Sequence, residues 1–164
     1  MYRRALITVA ACVLIMGCGD DDDGPTAPSG APLVFAALLS PANEVPPVSN
    51  AESSGSGAVQ ITITGNTADV YFQLYRFPGD TRVQGAHIHP GAAGVNGPVI
   101  LGTPITAADA VPLVNGGVEY RISGLPVDAT LLQNLMNNPG GFYFNVHSPL
   151  NPGGFARGQL YRVQ

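Results

Sequence analysis

The chain has 164 residues, of which 11% are charged, and it contains 21 glycines and 15 prolines but neither lysine nor tryptophan. This length suits one domain with a substantial hydrophobic core. The charged fraction is less than half of the ~25% usual in globular proteins, and glycine and proline are abundant, which excludes a coiled coil or a helical bundle. Seven arginines stand against eleven acidic residues. Without a basic patch, we predict that the protein does not bind nucleic acid.

The N-terminal segment has the features of a bacterial export signal. Arg3 and Arg4 precede an apolar stretch over 5–16, which is too short to span a bilayer as a mature helix. The stretch ends in the letters IMGC, which resemble the lipobox of bacterial lipoproteins. This resemblance implies a lipoprotein signal peptide over 1–17, cleavage before Cys18 and lipidation of Cys18. An ordinary secretory leader that happens to end near a cysteine is the alternative.

A flexible, acidic linker is predicted over 18–32. Four consecutive aspartates are followed mainly by proline, serine, glycine and alanine, a composition that cannot form a core. The aspartates lack the ligand spacing and the closing glutamate of an EF-hand calcium loop. More than one acyl chain on Cys18 would give stable attachment. We therefore predict a protein anchored in the cell envelope, on the outer membrane or the extracytoplasmic face of the inner membrane, with its folded domain over 33–164.

The folded domain is predicted to be an antiparallel β-sandwich. Apolar and polar residues alternate over 58–64 and again over 67–77 around a Gly-Asn turn, which is typical of a β-hairpin. Residues 128–136 instead carry one apolar helical stripe behind an N-capping Asp128, which predicts a single short helix. About eight strands in all are expected. The others are predicted over 33–39, 83–89, 99–101, 118–122, 141–147 and 156–163.

Six further motifs occur in an order that is specific when taken together. They are FAALL at 35–39 running into NEVPPV at 43–48, GAHIHPG at 85–91, NGPV at 96–99, YFNVH at 143–147 and RGQL at 157–160. This combination resembles the CHRD domain, a module first recognised in chordin and widespread in bacterial secreted proteins. The resemblance implies an all-β sandwich of the immunoglobulin type or close to that of copper–zinc superoxide dismutase. It implies no established activity.

All three histidines of the chain fall inside these motifs and form a candidate metal site. His87 and His89 are two residues apart on a predicted strand, so they share a face at a spacing of about 6.6 Å. His147 is predicted to lie opposite the apolar Phe144 and Val146 of its own strand. We therefore expect the three imidazoles to leave the core face and to be able to bind one copper or zinc ion.

Two other interpretations of these histidines remain open. The HxH pair resembles the copper-ligand strand of superoxide dismutase. That enzyme uses further histidines and an aspartate to hold zinc beside copper, and this chain has no further histidines, so dismutase activity is not predicted. Alternatively, the imidazoles hydrogen-bond loop carbonyls and lock the turn at 90–98 without any metal.

Glu44 and Arg157 are predicted to form a structural ion pair in this charge-poor domain. A carboxylate and a guanidinium can pair through two hydrogen bonds, which would tie the loop after the first strand to the last strand. Asn43 and Asn145 are expected to hold loops.

The sequence contains no complete catalytic set. Phosphate-binding loops, nucleophile elbows and HExxH zinc motifs are all absent from the sequence. We therefore predict no catalytic residues and favour a membrane-anchored module that binds a protein or a surface ligand. The alternative is a copper- or zinc-binding envelope protein with redox activity at the three-histidine site.

Overall fold

The structure, a computed structural model, describes residues 30–164 of the chain. The predicted signal peptide over 1–17, Cys18 and most of the linker over 18–32 lie outside the described residues. Within 30–164, no helix has the length and apolar character needed to cross a membrane.

Eleven strands and one α-helix are found in the described residues. Seven strands have four residues or more, and the other four have two residues each. In chain order, the elements are β1 (Leu33–Leu39), β2 (Ser56–Thr64), β3 (Thr67–Tyr75), β4 (Arg82–Val83), β5 (Gly85–Pro90), β6 (Leu101–Gly102), β7 (Val111–Pro112), β8 (Val118–Pro126), α1 (Ala129–Asn137), β9 (Phe142–His147), β10 (Ala156–Gln159) and β11 (Tyr161–Arg162).

The long strands form two antiparallel sheets. One sheet has the order β11-β1-β2-β3-β8 and the other has the order β10-β9-β5-β6, while β4 and β7 pair by themselves. The predicted hairpin is present: β2 and β3 pair along their whole length from Ser56 opposite Tyr75 to Thr64 opposite Thr67. The all-β sandwich predicted from the sequence is therefore confirmed.

The core lies between the two sheets because alternate residues of each strand point inward. Phe35, Ile61 and Phe72 of the five-stranded sheet are fully buried, as is Phe144 of the four-stranded sheet. The rings of Phe72 and Phe144 meet across the interface with their centres 6.0 Å apart. Leu135 of α1 is also fully buried, and its helix begins where Asp128 accepts a hydrogen bond from the Leu131 N–H at 2.7 Å.

Strand boundaries differ from the predicted ones where the chain changes sheet. The segment predicted as one strand over 156–163 is divided: β10 pairs with β9, while β11 pairs with β1 in the other sheet. The crossing occurs at Leu160, whose side chain is buried in the core. Similarly, the segment predicted over 83–89 is divided between β4, which pairs with β7, and β5, which pairs with β9. Alternation cannot reveal such a change of partner because both halves remain extended.

We expect the substitution Phe144→Ala to lower the free energy of unfolding by about 3–5 kcal/mol, because it empties a site at the centre of the interface between the sheets. Leu38→Ala is the matched control, since Leu38 lies on the outer face and is 71% exposed; it should change stability by no more than about 0.5 kcal/mol. Urea unfolding of both variants measures the difference. Equal losses would contradict this placement of the core.

Candidate metal centre

The three histidines lie on the outer face of the four-stranded sheet, on the adjacent strands β5 and β9. Gly85 lies opposite His147, and His87 lies opposite Asn145 in the register of these strands. The intervening side chains of both strands, such as Ile88 and Val146, are buried in the core. The histidines therefore leave the core face, as the spacing along the two strands predicted.

The pairing of β5 and β9 brings the three imidazoles together. One potential ligand atom from each of His87, His89 and His147 lies within 4.8 Å of the other two. The closest approach is 2.9 Å, between Nδ1 of His87 and Nε2 of His147. Three nitrogen ligands around a tetrahedral zinc ion are about 3.3 Å apart, given metal–nitrogen bonds of about 2.0–2.1 Å. Side-chain adjustments of about 1.5 Å or less would therefore bring all three imidazoles onto one ion.

Two of the rings are held by backbone carbonyls through their Nδ1 atoms. Nδ1 of His89 is 3.0 Å from the carbonyl oxygen of Gly97, and Nδ1 of His147 is 3.0 Å from that of Pro152. A carbonyl oxygen only accepts, so each Nδ1 carries the proton and each Nε2 presents a lone pair. A carbonyl bonded to the distal nitrogen is the usual second-shell arrangement of metal-binding histidines.

The Nε2 atom of His89 is the clearest indication that a ligand belongs here. Among the described residues it is buried and has no hydrogen-bond partner. Leaving a buried acceptor unpaired costs free energy, and such atoms are rare in folded proteins. The chemistry of the site fits a metal, since neutral imidazole is a good ligand for both copper and zinc.

Burial keeps the imidazoles in the neutral form that a metal requires. The pKa of His87 is lowered to about 4, mainly by burial and in smaller part by charge repulsion from His147 and His89. The pKa values of His89 and His147 are also lowered, mainly by burial. At neutral pH all three imidazoles therefore have the neutral form that can coordinate an ion, and binding would replace the hydrogen bond between Nδ1 of His87 and Nε2 of His147.

A stack of three side chains supports the ring of His89. The phenol ring of Tyr143 lies parallel to the imidazole, with 4.8 Å between the ring centres and 4° between their planes. On Tyr143, in turn, lies the guanidinium of Arg157, whose Cζ is 3.3 Å from the centre of the phenol ring. This cation–π contact restrains the orientation of the ring that packs against His89.

Arg157 also holds the loop over 91–97, whose Gly97 carbonyl bonds His89. Its side chain is 1% exposed. The guanidinium donates hydrogen bonds to the carbonyl oxygens of Val95 at 2.7 Å and Ala92 at 3.1 Å, and to the Asn96 side chain at 3.0 Å. One interpretation of the sequence is that the histidines hold this loop. His89 does so through its hydrogen bond to Gly97, and Arg157 holds the same loop.

Glu44 and Arg157 do not form the direct pair that the sequence predicted. Both carboxylate oxygens of Glu44 accept from Nδ2 of Asn145 at 3.1 Å, whereas among the described residues the hydrogen bonds of the Arg157 guanidinium go to other acceptors. Burial raises the pKa of Glu44 to about 7, and the charge of Arg157 opposes that rise. The two charges interact through space, and Asn145 and the loop over 91–97 take the hydrogen bonds.

Residues 35–160, which include the whole of this site, match the model of the CHRD domain family. The chain belongs to the CHRD domain family. No curated protein and no solved structure matches the chain. The likeness to the superoxide dismutase or immunoglobulin sandwich therefore stays a prediction, while the CHRD assignment includes every residue of the candidate metal centre.

Sequence reasoning located the three histidines and named Arg157 and Asn145, but it missed the stacking of Arg157 on Tyr143 and of Tyr143 on His89 in this CHRD domain. Arg157, Tyr143 and His89 lie on three different strands, so their stacking cannot be predicted from their spacing along the chain. Alternation along the strand does place Asn145 on the face of Tyr143 and His147, because it lies two residues from each of them.

We expect the metal-free domain to lose stability as the pH falls from about 6.5 to about 4. In the unfolded chain a histidine takes up its proton near pH 6.5, whereas folded His87 does so only near pH 4. Protonation therefore favours the unfolded state across this interval. Urea unfolding at pH 6.5, 5.5 and 4.5 should show a shallower decline for His87→Asn than for the parent, because asparagine does not titrate. Parallel declines would mean that His87 titrates normally.

Proposed function

We propose that this protein is a cell-envelope lipoprotein whose CHRD domain binds one copper or zinc ion through His87, His89 and His147. The observation that carries this proposal is the buried Nε2 of His89, which has no hydrogen-bond partner among the described residues. Nδ1 of the same ring is held by the carbonyl of Gly97, and one potential ligand atom from each of the three imidazoles lies within 4.8 Å of the other two. A bound ion would give the lone pair of Nε2 a partner.

The donor set narrows the choice of metal. Imidazole suits copper and zinc alike, and three ligands leave one position open for water or a small ligand. A blue-copper centre would need a cysteine thiolate. Cys12 and Cys18 both precede the folded domain, and Met136 is its only methionine. We therefore propose a three-histidine site with an open position, at which copper would permit redox chemistry.

A suitable substitution at His89 distinguishes metal binding through Nε2 from loop holding through Nδ1. In His89→Asn, the side-chain amide replaces Nδ1 and can still donate to the Gly97 carbonyl, but the Nε2 ligand is lost. We expect the parent chain to bind about one Cu²⁺ or Zn²⁺ ion and the variant to bind at least about 100-fold more weakly, which exceeds the usual loss for second-shell changes.

Isothermal titration of the purified full chain at pH 8 measures this difference. The matched control is Gln60→Asn, which shortens an exposed polar side chain on the outer face of the other sheet. It should bind like the parent. A parent that binds no metal, or a His89→Asn variant with the affinity of the parent, would leave these histidines as loop-holding residues.

The proposed anchor depends on Cys18. If the lipobox is functional, Cys18→Ser should either release the protein from the membrane fraction or leave the precursor uncleaved, because the thiol that receives the lipid is gone. Fractionation of cells followed by mass measurement of the product tests this. Parent-like processing and membrane attachment of Cys18→Ser would exclude the lipoprotein assignment.

A second candidate function is a module that binds a protein or a surface ligand. Three large side chains of the domain, Leu38, Tyr161 and Val163, are between 50% and 71% exposed. They belong to β1 and to the C-terminal segment that begins with β11, which are neighbours at the edge of the five-stranded sheet. A CHRD domain without metal affinity would favour this function.

A further inference from the structure

Asn145 occupies the middle of the outer face on which the candidate metal centre lies. In the register of the sheet, it is opposite His87 on β5 and opposite Arg157 on β10. His147 is two residues further along the same strand and therefore shares its face. Asn145 is only 3% exposed, although its side chain is polar.

The orientation of the Asn145 amide follows from its partner. Its Nδ2 atom is 3.1 Å from both carboxylate oxygens of Glu44 and 3.5 Å from the carbonyl oxygen of Gly153. Carboxylate and carbonyl oxygens accept hydrogen bonds, so the NH₂ group must be on this side. Because the amide is planar, Oδ1 is turned away from Glu44.

The Oδ1 atom of Asn145 is the second unpartnered polar atom on this face. Among the described residues it is buried and has no hydrogen-bond partner, like Nε2 of His89. A buried amide oxygen without a donor costs free energy, which calls for an explanation. One explanation accounts for both atoms, since a metal ion would take the lone pair of the nitrogen and a water bound to that ion would donate to the oxygen.

We infer that Asn145 is the group that holds the water on the fourth position of the three-histidine centre. Its Oδ1 accepts a hydrogen bond from that water. Glu44 acts as a positioning residue, because its carboxylate keeps the NH₂ group of Asn145 turned away from the ion. This inference rests on the proposed metal binding by the three histidines. It assigns the ligand of the open position to water or hydroxide, which can donate to an amide oxygen.

The local packing is built around this orientation. A Cβ atom added to Gly154 would clash with Nδ2 of Asn145 and lie 2.6–2.7 Å from the Glu44 oxygens, so the chain passes close over the pair. Gly154 has a φ of +135°, a conformation that other residues rarely adopt. The pair is thus enclosed between the sheet and the segment that leads into β10.

The test must avoid a variant that fails only because it cannot fold. Asn145→Leu alone would leave the buried carboxylate of Glu44 without its donor. The double substitution Glu44→Leu with Asn145→Leu replaces both partners by apolar side chains, a change that can be nearly neutral for stability. Asn43→Leu is the matched control, since it makes the same exchange beside Glu44 on an exposed residue that bonds the Arg157 carbonyl.

The full chain and its variants are titrated with Cu²⁺ at pH 8, and the Cu²⁺-loaded forms are compared by electron–nuclear double resonance in H₂O and D₂O. We expect the double variant to bind Cu²⁺ about 10–100-fold more weakly than the parent, as is usual when an outer-shell contact is lost. The exchangeable-proton couplings of the bound water should also change. Asn43→Leu should match the parent in both measurements.

The possible failures can be told apart. If the parent binds Cu²⁺ and His89→Asn does not, metal binding stands. The inference about Asn145 is then overturned if the double variant retains the affinity of the parent, or if it binds more weakly with unchanged proton couplings. A parent that binds no Cu²⁺ overturns the metal proposal and this inference with it.

Discussion

The buried guanidinium of Arg157 imposes the constraint on which the outer face of the four-stranded sheet depends. A charged group leaves water at a large cost in free energy unless its donors find acceptors and its charge finds a favourable surrounding. Here the acceptors are carbonyl and amide oxygens of the loop over 91–97, and the face of the guanidinium is covered by Tyr143. The hydrogen bonds that the Arg157 guanidinium requires therefore set the shape of the loop over 91–97, and its stacking contact fixes the ring of Tyr143.

The position of His89 follows from this arrangement. Tyr143 is pressed between the guanidinium and the imidazole, and its hydroxyl accepts a hydrogen bond from the N–H of Gly97 at 3.2 Å. The carbonyl of the same glycine holds Nδ1 of the imidazole. The lone pair of His89 thus points in a direction that is set by rigid groups, and little reorganisation would be needed for an ion to bind. Such preorganisation strengthens binding, because little free energy is lost in ordering the side chains when the ion binds.

Electrostatics favour neutral ligands on this face. Burial disfavours the protonated imidazoles, and the charge of Arg157 acts in the same direction on His89. The nearby carboxyl of Glu44 is also disfavoured in its charged form by burial, and it has Asn145 as its hydrogen-bond donor. The result is a face on which neutral donor atoms meet, and the lone pair of His89 and the carbonyl oxygen of Asn145 are both left without protein partners. This pattern connects the proposed ion with the proposed water.

Alternation along the strands was enough to predict the sandwich, the β2–β3 hairpin and the departure of the histidines from the core, because the side-chain period of a strand is independent of its partners. Capping and helical spacing likewise predicted α1, since both are local. The sequence could not show which strands pair, so the change of sheet at Leu160 and the meeting of His147 with His87 depend on tertiary structure.

The partners of Glu44 and Arg157 also depend on tertiary structure. Their opposite charges predicted a pair, but in the fold carbonyl oxygens lie nearer to Arg157, and the amide of Asn145 bonds Glu44. Hydrogen bonds of buried charges are short-ranged, and they go to whichever partners the packing of distant segments brings within about 3 Å.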